Sequence, residues 1–377
     1  MKQIINFVAS LCYGFLSLFI SKKKEYYAFR LFHDPDHFSG NIKALMTYIK
    51  TINTPVEIVL LTNRKTVVEA AKSSGIAVKA SFLGRLWATL RAQYLIIDSY
   101  TGLYRFGNFS LIQLGHGAGY KNIGLLRDDL SPKRRKRLKN IYQNYKLVIT
   151  TSESNLKKKN ASFAINTGVI TGLPRNDVFF ENNKAKITQL KQKLAVQQYF
   201  KIITYAPTFR DFQTNKPFTD TFWTALQGEL EKQNAVFIIK KHPWDELLEI
   251  PDIYKNIKDV SKALMAEELL LLADLLITDY SSIATDFALT GKPILIYAYD
   301  LAEYKKHCRS IYYELETVLP EPFLIEETDL LDKIKNLEWC KDSDIKERYE
   351  RFQKEFHLYL DGHSSERVFQ EIQKLSD

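Results

Sequence analysis

Short apolar runs alternate with helical patterns along most of this 377-residue chain, and this alternation limits its possible folds more than any other feature. Apolar runs at 201–205, 236–240, 275–278 and 293–297 are predicted strands, and helical patterns lie between them. The first half of the chain shows the same alternation. Strands that alternate with helices predict parallel sheets with right-handed crossovers. We therefore expect an α/β protein built from two such halves, with a cleft between them.

The two halves are expected to meet near residues 180–195, where the polar stretch Glu181–Lys184 is the best linker candidate. An apolar segment precedes the first half, and helices are expected at the end of the second half. The expected division is an N-terminal amphipathic helix at 1–24, a first domain at 25–185 and a second domain at 186–377.

The chain is basic, with 53 Lys and Arg against 44 Asp and Glu and a formal charge of +9. A balance of this kind favours polyanionic partners, either phosphorylated substrates, nucleic acid or an anionic membrane surface. Three cysteines without metal-like spacing predict neither a disulfide framework nor a zinc site, which fits a reducing compartment. The positive charge is clustered in three runs, at 22–24, 133–139 and 157–159.

Residues 4–20 are mostly apolar, and Lys22, Lys23 and Lys24 follow them. A narrow polar stripe along this segment predicts an amphipathic helix suited to a bilayer interface. The lysines, with Arg134 and Arg135 of the second basic run, would then meet anionic headgroups. A spanning helix and a helix packed on its own domain are the alternatives, and no secretory cleavage site follows.

A histidine lies among glycines in the segment Gln113–Lys121, directly after a predicted strand. The ligand edge of an open α/β sheet is at this end of its strands. Small neighbours leave His116 accessible, and a neutral imidazole there can accept a proton from a sugar or glycerol hydroxyl. His116 is therefore a candidate general base.

Four further segments place polar side chains after predicted strands. Gly172–Asp177 is a turn whose Arg175 is suited to binding phosphate. Tyr205–Asp211 contains Thr208 and Arg210, whose side chains can contact an anion. A helix cap or ordinary loop punctuation explains these two segments equally well.

Another predicted strand ends in three cationic donors that a pyrophosphate would bind, namely Lys240, Lys241 and His242. Ser281 and Ser282 precede a predicted helix, whose first turn favours anions, although a simple cap is the alternative. Asp279 and Asp286 bracket this turn, and a cap alone does not explain them.

Taken in order, these segments resemble the CDP-glycerol glycerophosphotransferase family, over roughly residues 26–370. The segments that carry the resemblance are His116-Gly117 with Lys121, Gly172–Asp177, Tyr205–Asp211, Lys240–Pro243, Ile277–Asp286, Phe38–Asn41 and Asp361-Gly362 with Arg367. The family often has a Thr-Pro pair after the His-Gly, where this chain has Ala118-Gly119-Tyr120.

The resemblance implies a GT-B-like fold with two Rossmann-like domains, an acceptor-side one and a CDP-donor one. It implies that a hydroxyl attacks the β-phosphorus of CDP-glycerol and that CMP leaves, with His116 as base and no metal or other cofactor. The implied catalytic and donor-binding residues are His116, His242, Pro207, Thr208, Arg210, Lys240, Asp279, Ser281, Ser282 and Asp286. The implied acceptor-side residues are Asn41, Gly117, Lys121, Arg175 and Asp177.

In its length and its apolar N-terminus, this sequence is most similar to the single-unit teichoic acid primase. The expected partners are then an undecaprenyl-diphosphate-linked glycan and the cytoplasmic face of the bacterial plasma membrane. A CDP-ribitol donor, a polyol-phosphate polymerase, a capsule product and a nucleotide-sugar glycosyltransferase of the same fold remain open. A basic membrane-binding or nucleic-acid-binding protein is the non-enzyme alternative.

Overall fold

The computed structural model describes residues 2–34, 36–210, 216–241, 248–250, 252–307, 310–320 and 323–375. The chain forms two compact units, each of which has its own parallel sheet. Unit 1 comprises Met1–His116, Ile123–Asp177 and Leu358–Asp377, and unit 2 comprises Gly117–Asn122 and Val178–His357.

Unit 1 is built on a seven-stranded parallel sheet of order β3-β2-β1-β4-β5-β6-β7. Its strands are β1 (Lys23–Arg30), β2 (Glu57–Leu61), β3 (Val78–Lys79), β4 (Ala92–Ile97), β5 (Ser110–Gln113), β6 (Tyr145–Thr150) and β7 (Gly168–Ile170). Its helices before β7 are α1 (Lys2–Ser17), α2 (Gly40–Thr51), α3 (Lys65–Ser73), α4 (Phe82–Arg91), α5 (Pro132–Tyr142) and α6 (Glu153–Phe163). The central strands are buried on both faces, as parallel sheets covered by helices require.

Helix α1 packs on unit 1 through its small and polar residues. Ser10 and Ser17 are buried, and the Oγ of Ser17 accepts the backbone N–H of Asn108 at 3.0 Å. A Cβ at Gly14 would lie 2.7 Å from the Cβ of Phe106, so only glycine permits this approach. Tyr13 and Leu16 also pack against the core of unit 1, whereas Phe7, Val8, Leu11 and Phe15 are exposed. Among the described residues, the structure contains no helix with the length and hydropathy needed to span a membrane.

Unit 2 is built on a six-stranded parallel sheet of order β10-β9-β8-β11-β12-β13. Its strands are β8 (Lys201–Tyr205), β9 (Ala235–Ile239), β10 (Ile257–Asp259), β11 (Leu275–Thr278), β12 (Ile294–Tyr297) and β13 (Phe323–Leu324). Its helices are α7 (Lys184–Lys193), α8 (Asp220–Lys232), α9 (Ala266–Leu272), α10 (Ile283–Ala288), α11 (Leu301–His307), α12 (Leu315–Val318), α13 (Glu327–Lys335) and α14 (Ser343–Phe356).

The last helix, α15 (Ser364–Lys374), belongs to unit 1, which corrects the expected second domain of 186–377. The backbone N–H groups of Ser364 and Ser365 donate to the carboxylate of Asp177 at 2.8 and 2.7 Å. Phe369 lies in the unit 1 core that also contains residues of α2. The chain therefore returns to its first unit after Leu358, and the first unit is discontinuous in sequence.

Candidate active site

The strand order of unit 1 reverses between β1 and β4, and an open parallel sheet binds ligands at such a point. Asp98 follows β4 directly and is buried. Its Oδ1 accepts the backbone N–H groups of Phe32 and His33, which follow β1, at 2.7 and 3.1 Å. The carboxylate therefore holds the two strand ends together and fixes the position of His33.

His116 follows β5 and lies beside this point. Its ring stacks on the ring of His33, with centroids 4.0 Å apart and planes 6° apart. Its Nδ1 lies 3.4 Å from the Asp98 carbonyl oxygen, an acceptor, so Nδ1 carries the proton and Nε2 has the free lone pair. The residue is exposed to solvent. His33 was not predicted as a site residue, since only its place after a strand marks it.

The surroundings of His116 favour the neutral imidazole. Desolvation by the surrounding protein, followed by the charges of His33 and Arg175, lowers the pKa of His116 below its ordinary value. Desolvation also lowers the pKa of His33. An accessible, neutral imidazole with a fixed tautomer can act as a general base.

Asn41, at the start of α2, connects two of the predicted segments. Its buried amide donates to the carbonyl oxygens of Leu114 and Gly115 at 3.2 and 3.0 Å. Its Oδ1 accepts the backbone N–H of Arg175 at 3.1 Å. The predicted acceptor-side residues Asn41 and Arg175 are thus brought to the loop of His116, whereas both Asp177 oxygens accept N–H groups of α15 instead of facing an acceptor.

The strand order of unit 2 reverses between β8 and β11, and the predicted donor segments follow these two strands. The backbone N–H and Oγ1 of Thr208 donate to Asp279 Oδ1 at 2.9 and 2.7 Å. The guanidinium of Arg210 pairs with Asp279 at 2.7 Å and, through two nitrogens, with Asp300 at 2.7 and 2.8 Å. These three charged side chains are almost fully buried.

Arg210 is therefore held between two carboxylates, and its predicted contact with a pyrophosphate stays a prediction. Burial alone would lower its pKa, but Asp279 and Asp300 outweigh burial and raise the pKa of the guanidinium. The rings of Tyr280 and Tyr304 lie 5.3 and 5.0 Å from the guanidinium carbon. The cation joins the loops after β8, β11 and β12. No pattern in the sequence marks Asp300 as its partner.

Ser281 and Ser282 precede α10, a helix of six residues. The Ser282 side chain makes no capping hydrogen bond, and a Cβ at Gly119 would lie 3.4 Å from the Ser282 Cβ. The Oγ1 of Thr285 donates to the Ala118 carbonyl at 3.3 Å. The glycine-rich segment after His116 therefore packs against the Ser-Ser turn within unit 2.

The remaining predicted residues occupy several positions in unit 2. Gly117 begins the segment of unit 2 that follows His116, and the ammonium of Lys121 lies 5.2 Å from the ring centroid of Tyr304. Pro207 lies between β8 and Thr208, and Asp286 is buried in α10. Lys240 donates to the carbonyl oxygens of Ser261 and Leu264 at 3.0 and 2.6 Å.

His242, together with Asp211 and Pro243, lies outside the described residues. Within the described part of the chain, no group of three or more His, Cys, Asp and Glu side chains is arranged to hold a metal ion.

The predicted membrane-facing cations differ in exposure. Lys22 donates to the Leu90 carbonyl at 3.0 Å, and burial lowers its pKa to about 8. Lys23 pairs with Glu57, while Lys24 and Arg134 are exposed. Arg135 donates to the carbonyls of Leu125 and Arg127. Two of these five cations thus take part in the packing of unit 1.

The family model described as CDP-glycerol:poly(glycerophosphate) glycerophosphotransferase matches residues 13–374. The chain belongs to this family. It is accordingly an enzyme of a family that transfers phosphate-containing groups, as its resemblance in sequence predicted.

The chain is similar to a teichoic acid glycerol-phosphate primase of Bacillus spizizenii, with 30% identity over 308 residues that cover 78% of the chain and 77% of the primase. It is 32% identical over 280 residues to a teichoic acid poly(ribitol-phosphate) polymerase of the same organism, covering 70% of the chain and 43% of that polymerase. A structure of the wall teichoic acid polymerase TagF superposes with a TM-score of 0.81 at 21% identity, covering 100% of this chain and 97% of that one. The α/β fold with two parallel sheets is therefore TagF-like and GT-B-like.

Proposed function

We propose that this enzyme transfers glycerol phosphate from CDP-glycerol to a hydroxyl group of a lipid-linked glycan, with release of CMP, in teichoic acid synthesis. The observation that carries the proposal is His116, a solvent-accessible imidazole with a fixed tautomer at the ligand edge of unit 1. Family membership and the primase-like relative support the choice of donor and acceptor.

In the proposed step, the acceptor oxygen attacks the β-phosphorus of the donor and its proton passes to Nε2 of His116. The bond between this phosphorus and the bridging oxygen breaks, and CMP leaves with the electron pair. Unit 2 holds the donor at the reversal between β8 and β11, where the Thr208–Asp279–Arg210 contacts fix the loops. His242 and Ser282 are proposed to contact the pyrophosphate, whose developing charge requires hydrogen-bond donors.

We expect purified enzyme to release CMP from CDP-glycerol when a lipid-linked disaccharide acceptor is present, and the product to gain the mass of one glycerol phosphate. A single addition supports a primase, and a ladder of products supports a polymerase. The match covers 77% of the primase and 76% of a poly(glycerol phosphate) polymerase of the same organism, so the mass of the product decides between the two. CMP release from CDP-ribitol alone, or UDP release from a nucleotide sugar, would contradict the proposed donor.

We also propose that the enzyme binds the cytoplasmic face of the bacterial plasma membrane through α1 and α4. Their exposed apolar side chains are Phe7, Val8, Leu11, Phe15, Phe82, Leu83 and Trp87, with Leu18 and Phe19 just after α1. The two helices are in contact, and exposed Lys24 lies close in sequence to α1. Large exposed apolar side chains beside cations match an anionic lipid interface.

The variant carrying Phe15→Ser, Phe19→Ser and Trp87→Ser is expected to bind vesicles containing phosphatidylglycerol at least about a hundredfold more weakly, since full burial of each such side chain contributes roughly 1.5–3 kcal/mol and these three are already partly buried. Co-sedimentation measures the partition. Phe200→Ser is the matched control, because Phe200 is highly exposed but lies in unit 2. Equal losses in the triple variant and the control would refute this membrane surface.

A further inference from the structure

The basic run Lys157–Lys159 is not a solvent-exposed cluster. Lys157 is exposed, but Lys158 and Lys159 are 2% and 4% exposed. Burial, followed by the charge of Arg175, lowers the pKa of Lys159 to about 8. The ammonium therefore remains mostly charged at neutral pH although it lies inside unit 1, an arrangement that is costly unless an anion or a set of acceptors offsets it.

Lys159 lies against the loop that carries His116. Its Nζ donates to the Ile149 carbonyl, at the end of β6, at 2.8 Å. The same nitrogen is 3.3 Å from the position that a Cβ would take at Gly115. Within the described part of the chain, this is the hydrogen bond that the ammonium makes, and no carboxylate pairs with it. An ammonium has three N–H groups, so its capacity exceeds this single acceptor.

Arg175 converges on the same place. Its backbone is attached to the loop through Asn41, which contacts both Arg175 and Gly115. Its charge acts on His33, His116 and Lys159. The carboxylates of Asp98 and Asp177 accept backbone N–H groups, after β1 and at the start of α15. The edge of unit 1 beside His116 thus carries two cations, Arg175 and Lys159, that act on one imidazole.

We propose that this edge is a phosphate subsite, in which Arg175 and Lys159 hold a phosphate group of the acceptor. The inference rests on the proposed function and specifies its acceptor as anionic. Arg175 supplies a planar guanidinium that matches phosphate oxygens, and Lys159 adds charge from beneath Gly115. A phosphodiester of a growing polymer and the diphosphate of a lipid carrier both have this chemistry.

A bound phosphate would also raise the pKa of His116, the proposed base. Arg175 and Lys159 both lower the pKa of His116, although desolvation and the charge of His33 rank before them. An anion that offsets these two cations would raise the pKa of His116 towards the range in which a base works best. The subsite would therefore couple acceptor binding to proton removal.

The test is calorimetric titration of the full chain, without donor, with glycerophosphoglycerol and separately with geranyl diphosphate. Lys159→Met is expected to weaken binding of the tighter probe at least about tenfold, the scale of one charge interaction in a partly buried site. Lys157→Met, on the exposed face of the same helix, is the matched control and should bind as the wild type does. The tighter probe identifies the source, a polymer end or a lipid carrier.

Unchanged binding of both probes by Lys159→Met, or an equal loss in Lys157→Met, would overturn the subsite. Arg175→Gln is the second variant; it keeps the backbone N–H that Asn41 accepts, and it should weaken the same probe. Affinity for CDP-glycerol, titrated separately, should remain that of the wild type. If the wild type releases no CMP from any CDP-polyol, the proposed function is refuted. The subsite stands in that case if Lys159→Met still loses probe binding.

Lys159→Met is expected to fold, because it replaces a buried charge with an apolar side chain of similar size. The folded-state pKa of about 8 lies below the ordinary value of 10.5, so the unfolded chain binds more protons between these pH values. The wild type should therefore gain stability relative to Lys159→Met as the pH rises from about 8 to 10.5. Thermal unfolding across this window checks that Lys159 is buried in solution.

Discussion

Replacing His116 with alanine is expected to lower kcat by about 10²- to 10⁴-fold, the contribution typical of a positioned general base. The effect should fall on kcat, because the residues proposed to hold the donor belong to unit 2 whereas His116 ends the first segment of unit 1. Initial rates of CMP release at saturating CDP-glycerol, with the KM of the donor measured in parallel, provide the test.

Three companion measurements separate a base from a structural residue. Added imidazole should partly restore His116→Ala, since it supplies the missing proton acceptor. His33→Phe keeps a ring to stack on His116 and should keep most of the activity. His37→Ala removes an exposed histidine of the same unit and should be neutral. Activity of His116→Ala within threefold of the wild type would refute the assignment, whatever the companions show.

The pKa of His116 gives this prediction a pH dependence. Its folded-state pKa is lower than the ordinary value of 6.5, so His116 remains neutral at neutral pH. The acid limb of the rate profile that belongs to His116 in the free enzyme should therefore lie below pH 6.5. The unfolded chain gains a proton first as the pH falls, so the wild type should lose stability relative to His116→Ala below pH 6.5.

The sheets were predictable from the sequence because their strands are apolar on both faces and short. Strands β8 and β11 have the predicted bounds, and β9 differs by one residue at each end. Periodicity does not report which distant segments pack together. The return of α15 to unit 1 depends on the contacts of Asp177 with Ser364 and Ser365, almost 190 residues away, and no local pattern encodes them.

The candidate site was predictable to the extent that one local segment defines it. His116 was identifiable because glycines surround it, and Asn41 because it belongs to a family motif. The burial of Lys159 was not, because three consecutive lysines on a helix project about 100° apart, so a sequence run does not specify which of them face inward. Arg210 was expected at a phosphate because its two carboxylate partners, Asp279 and Asp300, lie far along the chain.

Replacing Arg210 with methionine is expected to destabilise the enzyme by about 3–5 kcal/mol, the cost typical of removing one partner from a buried ion pair. The substitution leaves Asp279 and Asp300 buried without their cation, while the tyrosine rings that contact the guanidinium prevent water from replacing it fully. Chemical denaturation, with the midpoint and slope fitted together, measures the loss. Lys216→Met, which removes an exposed pair with Glu249 in the same unit, should leave the denaturation midpoint close to that of the wild type.

Two further variants distinguish a positioning role from direct donor contact. Asp300→Asn keeps the guanidinium but removes one of its anchors, so it should weaken CDP-glycerol binding if Arg210 acts by fixing the loops after β8 and β11. If Arg210 instead contacts the pyrophosphate, Asp300→Asn should leave donor affinity unchanged or raise it, since a carboxylate that repels the donor is lost. Adding Asp300→Asn to Arg210→Met should recover part of the lost stability, because it removes one uncompensated charge. Failure of this rescue, with wild-type donor affinity in Asp300→Asn, would show that the buried cluster does not position the donor loops.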